Sequence, residues 1–557
     1  MTASIKEILK NEIRSASGHE ADVLPTPDAA LGDYSTNVAF ILAKEQKKKP
    51  VDAAAELKTA LEPRLAAVAS IQAAPNGFLN FFLKPEFLRQ RLNEIAADEG
   101  YGMDTVGAGK TVIVEYSSPN IAKPMHIGHL RSTIIGDALA NIYEAIGYRV
   151  IRWNYVGDWG TQFGKVIAGY KKWGEGKSDI AMSDMLEWYI RAGKELPDEE
   201  GQKEFKKLED GDPENRKLWE KFNAISLQGL KETYRMLGTN AFDVYKGEAH
   251  YEPQLKMIIQ KLEKEGKAKE SEGALIFDLE KYNLPPGLLR KSDGATLYLT
   301  RDLASLEDRL QNYAPAEILY VVANQQALHF EQLFAIAREL NLNGAELVHV
   351  KFGMVLGEDG KKLATREGKV VPLQDVMDKI VALAEEIVKK KNPDLPEADR
   401  ARVARAVGIG ALKYNDLKQH PYSDIVFDWD AMLDLSGNSG AYLQYTYARL
   451  ANIIAKAGAA ETGNTELLSE NIELKLMKQL LEFPDAVGRS AQVHALNGLA
   501  LYLYELAAAA SNFYETVRVL DDENASRKNA RLTLIRTVAR TLQTGLKLLG
   551  IETLGRI

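Results

Sequence analysis

The chain has 557 residues, 45% of them hydrophobic and 27% charged, with a formal net charge of −8. That length exceeds one hydrophobic core and predicts three or four domains, and the composition is that of a soluble globular protein. The lack of cysteine excludes disulfides, thiol nucleophiles and zinc–thiolate sites and fits a reducing, cytoplasmic setting. The negative charge argues weakly against a protein coated in nucleic acid; local basic runs such as Lys47–Lys49 and Lys389–Lys391 are candidates for gripping RNA, but each alone reads better as a solvated face.

In chain order, Met1–Leu9 begins an amphipathic helix with an early acid, not a secretory signal. Residues 1–108 form a first unit, with helical patterns at Ile5–Ile13 and Pro50–Leu65 and a strand-like segment Gly77–Leu83. Gly107-Ala-Gly109 reads as a linker. Residues 109–375 form a second unit in which apolar strands (Thr111–Tyr116, Arg149–Tyr155, Glu317–Ala323, Val348–Leu356) alternate with helices. This alternation predicts an open, Rossmann-like parallel α/β sheet. Charged stretches at Pro197–Lys203 and Leu208–Glu214 mark a mostly helical insertion over about 171–273. From Val376 no convincing strand is visible. A helical connecting region is expected over 376–430 and an all-α domain over 431–557, with patterns at Arg402–Lys418, Ala441–Ala459 and Leu496–Val517. The longest apolar run, Gly498–Ala510, is interrupted by Glu505 and is too short for a membrane span.

The most informative segment is His126-Ile127-Gly128-His129, which follows the strand Thr111–Tyr116 and a proline-bounded loop and opens a helix from about Leu130 to Ile146. A strand feeding a helix N-terminus favours an anion, because free N–H groups and the helix dipole converge there. Gly128 lets a nucleotide approach the backbone, and the imidazoles supply donors. A zincin would set the histidines four apart with a glutamate beside the first, and no glutamate stands there. The pattern points to chemistry at an ATP phosphate.

The stretch Glu115-Tyr-Ser-Ser-Pro-Asn-Ile-Ala-Lys-Pro-Met-His-Ile-Gly-His-Leu-Arg-Ser132 strongly resembles the class I aminoacyl-tRNA synthetases, specifically the arginyl family. Trp153–Gly164, Tyr298–Asp302, Val322–His329, Asn438–Arg449 and Gly32–Lys44 resemble further segments of that family in its own order. The resemblance implies ATP-dependent formation of arginyl-adenylate and transfer to the terminal ribose of tRNA(Arg). Its implied partners are ATP with Mg²⁺, L-arginine and tRNA(Arg). A monomer with no protein-bound zinc is expected. It also implies a tRNA-contacting role for residues 1–108 and an anticodon-binding role for 431–557.

By resemblance, His126, Gly128 and His129 hold ATP and serve catalysis, and Asp302 pairs with the guanidinium while Tyr298 packs and hydrogen-bonds beside it. Ser118, Asn120, His129 and Gln326 match positions that hold the α-amino and carboxylate end. Without the family, Asp302 reads as a helix-surface residue paired with Arg301 or Arg309, and Glu115 reads equally as an arginine ligand or as support for a neighbour. The second class signature, usually Lys-Met-Ser-Lys-Ser, is degenerate here: Lys362-Leu-Ala-Thr-Arg366 carries Ala364 in place of serine and Thr365 in place of the second lysine. We expect Lys123 to supply the missing charge, with Lys362 and Arg366 assisting; contact of Lys123 with solvent or tRNA phosphate is the alternative. Tyr442, Tyr445, Tyr447 and Arg449 are candidates for stacking and clamping anticodon bases, and an aromatic set at this spacing also reads as core.

Three other functions fit parts of the pattern. A glutamyl- or glutaminyl-type synthetase is disfavoured by the helical C-terminus and the Tyr298/Asp302 pair. A small nucleotidyltransferase would not need the flanking units. A tRNA-binding paralogue with a decayed site conflicts with the intact histidine signature.

Overall fold

A computed structural model describes residues 4–292, 297–357, 360, 371–458 and 464–557. The N-terminal helix Ile5–Ser17 opens with a reciprocal cap: Ser4 Oγ accepts from Glu7 N–H, and the Glu7 carboxylate accepts from Ser4 N–H, satisfying two donors a helix start leaves open. Strands β1 (Leu24–Pro25), β2 (Tyr34–Thr36), β3 (Ala69–Ala73) and β4 (Leu79–Leu83) form an antiparallel sheet in the order β1-β2-β4-β3. Helices Val38–Gln46, Pro50–Leu61 and Pro85–Ala97 belong to the same region.

The central sheet is built from β5 (Thr111–Glu115), β6 (Arg149–Asn154) and β7 (Val244–Tyr245), together with two later strands. Three short strands come between, β8 (Ala268–Ser271), β9 (Ala274–Phe277) and β10 (Gly287–Arg290), which pair antiparallel as a separate sheet. The central sheet is completed by β11 (Glu317–Ala323) and β12 (Glu346–Phe352), giving the all-parallel order β12-β11-β5-β6-β7. The β-branched run of β5 is buried on both faces, as a central parallel strand requires. From β5 the chain moves to β6 on one side and returns to β11 on the other. The crevice at the carboxyl ends of β5 and β11 is therefore a topological switch point, where open α/β sheets bind ligands.

Helix Leu130–Ala145 connects β5 to β6 and is buried almost all round. The sheet lies beneath it and helices Glu397–Leu417, Phe483–Gln492 and Ala525–Leu548 contact it from the C-terminal region. The insertion consists of helices Thr161–Gly169, Met182–Glu195, Asp198–Glu209 and Pro213–Leu237, packed around Trp188, Trp219 and Phe222. Helices dominate from Leu373 onward, with Leu373–Lys391, Glu397–Leu417, Gly440–Ala457, Asn471–Leu481, Asn497–Thr516 and Ala525–Leu548 among them. No helix among the described residues is long and apolar enough to cross a membrane.

Two local features differ from the sequence expectation. The segment read as one strand from Val348 to Leu356 breaks after Phe352, because Gly353 N–H donates to Pro421 O at 3.0 Å and Met354 N–H to Asp424 Oδ1 at 2.6 Å. The chain then re-forms as β13 (Val355–Leu356), parallel to β14 (Ile425–Val426), in a region where no strand is expected. Gly353 is required there, since a Cβ would lie 2.6 Å from the Asp424 carboxylate and 2.7 Å from Ser423 O.

Arg131 holds this crossing in place. Its guanidinium donates from Nε to both Asp416 oxygens at 3.2 Å and from Nη1 to Ser423 O at 2.7 Å, and each side chain of the pair is 1% exposed. Removing one partner strands a buried charge, which costs roughly 3–5 kcal/mol. Arg131→Met should therefore lower unfolding free energy by about that amount in urea titration, and the double variant Arg131→Met/Asp416→Leu should recover much of it. A loss below about 1 kcal/mol, the value of an exposed pair, would refute the dry ion pair.

Candidate active site at the switch point

The loop leaving β5 begins with two non-glycine residues in the left-handed region, Ser117 (φ 68°) and Ser118 (φ 42°). Such backbone costs on the order of 1–3 kcal/mol per residue and persists only where the surroundings over-determine it. Here they do. Ser117 N–H donates to Ser132 Oγ at 2.8 Å, Ser132 Oγ donates to Val321 O of β11 at 2.6 Å, and Ser117 Oγ lies 2.8 Å from Thr133 Oγ1 and 2.7 Å from the Tyr234 hydroxyl. Asn154 Nδ2, at the end of β6, donates to the same Tyr234 hydroxyl at 2.8 Å. The strained turn is thus tied to both flanking strands, to the signature helix and to the insertion.

Further along, Asn120 Oδ1 accepts from Ala122 N–H at 3.1 Å, and Ile121 N–H and Pro119 O bond to Gly157 at 3.2 and 3.0 Å. Met125–Ile127 runs antiparallel to Val371–Leu373: Ile127 N–H donates to Val371 O at 3.0 Å and Leu373 N–H to Met125 O at 3.1 Å. Lys362, Ala364, Thr365 and Arg366 lie outside the described residues, but both flanks of their segment are fixed: the upstream flank by β13, the downstream flank by the histidine signature itself.

His126 caps a 3₁₀ turn, Ile127–His129, that leads into helix Leu130–Ala145. His126 Nδ1 accepts from Gly128 N–H at 3.1 Å, and His129 Nδ1 accepts from His126 N–H at 3.2 Å. An imidazole nitrogen that accepts must be unprotonated, so each neutral ring carries its proton on Nε2. The ring centroids are 3.9 Å apart. Burial, with the neighbouring His126 adding to it, depresses the His129 pKa to about 3. Gly128 is open to solvent, and a Cβ there would sit 2.8 Å from the His126 ring.

Lys123 is exposed, and its ammonium lies 4.2 Å from the Tyr189 ring centroid, a cation–π contact with the insertion. Ser118 Oγ is buried with no hydrogen-bond partner among the described residues. Gln326 is exposed at the end of the 3₁₀ turn that follows β11.

Tyr298 and Asp302 occupy the first turns of helix Tyr298–Tyr313 and share a face. Tyr298 is 58% exposed. Asp302 pairs with neither Arg301 nor Arg309: its Oδ2 meets His329 Nε2 across the crevice. Burial alone would lower the His329 pKa, but the Asp302 carboxylate, with Glu115 behind it, raises it. Arg301 instead binds Glu252. Arg309 is buried against Glu115 and lies over the rings of Trp153 and Tyr320, at 4.6 and 5.3 Å. Glu115 therefore holds a neighbour in this structure. His329, Tyr234 and Ser117 were not singled out from the sequence, and Arg309 only as a possible partner of Asp302, since their importance lies in contacts between distant segments.

In the C-terminal helices, the Tyr442 hydroxyl donates to Ser511 Oγ at 3.0 Å. Tyr445 is half-buried in a groove it shares with Lys391, Arg449 and Arg556. Tyr447 is half-buried. Arg449 is exposed, with its guanidinium 4.7 Å from the Tyr514 ring centroid.

Comparison with known proteins agrees with this geometry. Residues 91–429 match the family described as tRNA synthetases class I (R), catalytic domain; residues 3–83 match the arginyl tRNA synthetase N terminal domain, and 443–557 the DALR anticodon binding domain. The chain is 41% identical to an arginine–tRNA ligase of Chloroflexus aggregans, over 95% of this chain and 94% of that protein. It is 40% identical to the one from Azotobacter vinelandii, over 96% and 94%. Among solved structures, the arginyl-tRNA synthetase of Thermus thermophilus superposes with a TM-score of 0.83 at 27% identity, covering 99% of this chain and 100% of that one. The Plasmodium falciparum enzyme gives 0.84 at 27%, covering 99% and 98%. A methionyl-tRNA synthetase of Mycobacterium tuberculosis, at 11% identity and a TM-score of 0.52, covers 79% of this chain and 92% of that one and shares the fold alone. The chain belongs to the class I aminoacyl-tRNA synthetases and, within that class, to the arginyl family.

The histidine geometry has a titration consequence. Between pH about 3 and 6.5 the unfolded chain protonates His129 while the folded chain does not. This residue therefore withdraws stability as pH falls through 6.5 and continues to do so down to about 3. Heteronuclear NMR of the imidazoles should show His129 as the neutral Nε2–H tautomer at pH 5; an imidazolium signal at that pH would contradict the assignment.

Proposed function

We propose that this synthetase is an arginine–tRNA ligase that forms arginyl-adenylate from L-arginine and ATP at the switch-point crevice and transfers the arginyl group to the terminal ribose of tRNA(Arg). In the first step a carboxylate oxygen of arginine attacks the α-phosphorus and pyrophosphate leaves. In the second, a ribose hydroxyl attacks the adenylate carbonyl and AMP leaves. The observation that carries the reading is the convergence, at one crevice, of the histidine turn from β5 and a carboxylate from helix Tyr298–Tyr313 that faces His329.

Such phosphoryl chemistry is mainly positioning and neutralisation of growing charge. The two Nε2–H groups, the N–H groups of the helix start and the open backbone at Gly128 supply donors for the phosphates. Mg²⁺ enters with ATP as part of the substrate. Lys362 and Arg366 are assigned to the pyrophosphate by resemblance. Lys123 supplies the further cation: it stands three residues before His126 and is held by a single ring contact, which a triphosphate can outbid. Asp302 receives the guanidinium, Tyr298 packs beside it, and Ser118, Asn120, His129 and Gln326 hold the other end. The unpartnered Ser118 hydroxyl supports that assignment. Tyr442, Tyr445 and Arg449 meet anticodon bases, the last two from the basic groove they line. The enzyme acts in the cytoplasm, as a monomer.

Pyrophosphate exchange with arginine, run with and without tRNA, tests the reading; no exchange under either condition refutes it. His126→Ala should slow exchange roughly 10²- to 10³-fold, the usual effect of deleting a transition-state donor. Asp302→Ala should raise the arginine KM at least about tenfold, as loss of a charged hydrogen bond predicts. Normal adenylate formation by Lys123→Ala would remove that residue from the mechanism.

A further inference from the structure

Asp302, the carboxylate assigned to the guanidinium, already has an occupant. His329 reaches it across the crevice. β11 ends in the 3₁₀ turn Asn324–Gln326, helix Ala327–Glu339 follows directly, and His329 is the third residue of that helix. Asp302 is the fifth residue of helix Tyr298–Tyr313, and the two helices pack against each other. His329 Nε2 meets Asp302 Oδ2. The two side chains are only 22% and 18% exposed, so water screens the pair weakly. The bond uses one carboxylate oxygen and leaves the lone pairs of Oδ1 to a further donor.

A proton on His329 is opposed from two directions. Burial takes water away from the imidazolium, and the first turn of a helix presents the positive end of its dipole. What favours the proton is acid: the Asp302 carboxylate, by hydrogen bond and by charge, and Glu115 behind it raise the His329 pKa above the ordinary 6.5. Glu115 is itself committed to Arg309, so the charge state of His329 depends chiefly on Asp302. From β12, His349 also feels His329, but burial holds the His349 pKa at about 4, and it stays neutral at higher pH. On the histidine's own helix Glu331 pairs with Lys351 of β12 at 3.5 Å. Tyr298, Tyr155, Tyr320 and Glu248, the first residue of helix Glu248–Lys264, act on the same Asp302 charge.

We propose that His329 is a positioning residue that sets the availability of Asp302: neutral, it holds Oδ2 by its Nε2–H and leaves Oδ1 to the substrate; protonated, it neutralises the carboxylate and excludes the arginine side chain. This rests on the reading of Asp302 as the guanidinium partner. The exchange balances through one proton. Arginine brings a permanent positive charge to Asp302, and the imidazolium, deprived of the carboxylate that favoured it and now beside a like charge, releases its proton to solvent. The direction with pH follows. Below the His329 pKa arginine has to displace a proton, so its affinity falls with falling pH, by up to about tenfold per pH unit; above that pKa the contribution of His329 is level.

The direct readout is the His329 imidazole by heteronuclear NMR, titrated in the unaltered chain with and without saturating arginine. Without arginine it should titrate above 6.5; with arginine its pKa should fall by about one unit or more. The arginine KM for tRNA charging supplies a second readout. In the wild type it should rise as pH falls from about 8 to about 6. Glu248, with a pKa raised to about 8 by burial, adds its own slope, so the comparison that isolates His329 is with His329→Gln. That variant keeps a donor without a titrating group. It should lose most of the rise below about pH 7, with the arginine KM at pH 8 within about threefold of wild type and the ATP KM within about twofold. His329→Leu, which removes the donor as well, should raise the arginine KM about tenfold across the range. A His329 pKa that arginine does not move overturns the proposal, as does a His329→Gln profile with the wild-type slope. If Asp302→Asn binds arginine as tightly as the wild type, the pocket reading itself has failed. If Asp302→Asn loses arginine while arginine leaves the His329 titration unmoved, only the role of His329 has.

Discussion

The buried pair of Arg131 and Asp416 fixes the relation between the helix that carries the histidine turn and the C-terminal half of the chain. Arg131 stands two residues beyond His129, on the helix whose first turn presents the imidazoles. Its three short bonds end on Asp416 and on Ser423 O, in the C-terminal half of the chain. Ser423 and Asp424 in turn shape the break at Gly353 and the β13–β14 pairing. A charge taken out of water tolerates little displacement, because each ångström of separation is felt at low dielectric. The helical region that follows the central sheet is therefore tied structurally to the histidine turn.

The acids of the catalytic domain fall into two groups by how their burial is compensated. Glu115 and Asp416 each face an arginine, at the cost of desolvating both members. Asp302 faces a histidine, which holds it in place without a permanent positive charge. Glu248 is buried with only the nearby charge of Arg301 acting against that burial. The strained Ser117–Ser118 turn is the backbone counterpart. It is an unfavourable conformation held by direct bonds to the signature helix and the insertion and, through Ser132 and Tyr234, to the two flanking strands, and it leaves Ser118 Oγ buried with no hydrogen-bond partner among the described residues.

Much of this was legible in the sequence where the signal was local. The run Thr111–Tyr116 and the glycine-containing histidine turn define a strand, a phosphate-accepting helix start and their order. The four-residue spacing of Tyr298 and Asp302 is by itself enough to place them on one helical face. What the sequence could not show depends on pairing between distant segments. Asp302 faces His329 rather than its helix neighbours because Arg301 points to Glu252 and Arg309 turns inward to Glu115. The strand Val348–Leu356 breaks because of contacts from Pro421 and Asp424. Two-residue strands such as β7 and β14 carry too few side chains to leave a periodic signal. The burial of Glu248 has no sequence signature, since an acid at a helix start is ordinarily on the surface.

The antiparallel pairing of Met125–Ile127 with Val371–Leu373 has a mechanical consequence. The two hydrogen bonds that join these segments bracket His126, whose own N–H is the donor that sets the His129 ring. A shift of the chain at Val371 is thus transmitted, through bonds of fixed length, to the peptide that decides the tilt of both imidazoles. The position of the chain at Val371 and the tilt of the two rings become one coordinate rather than two.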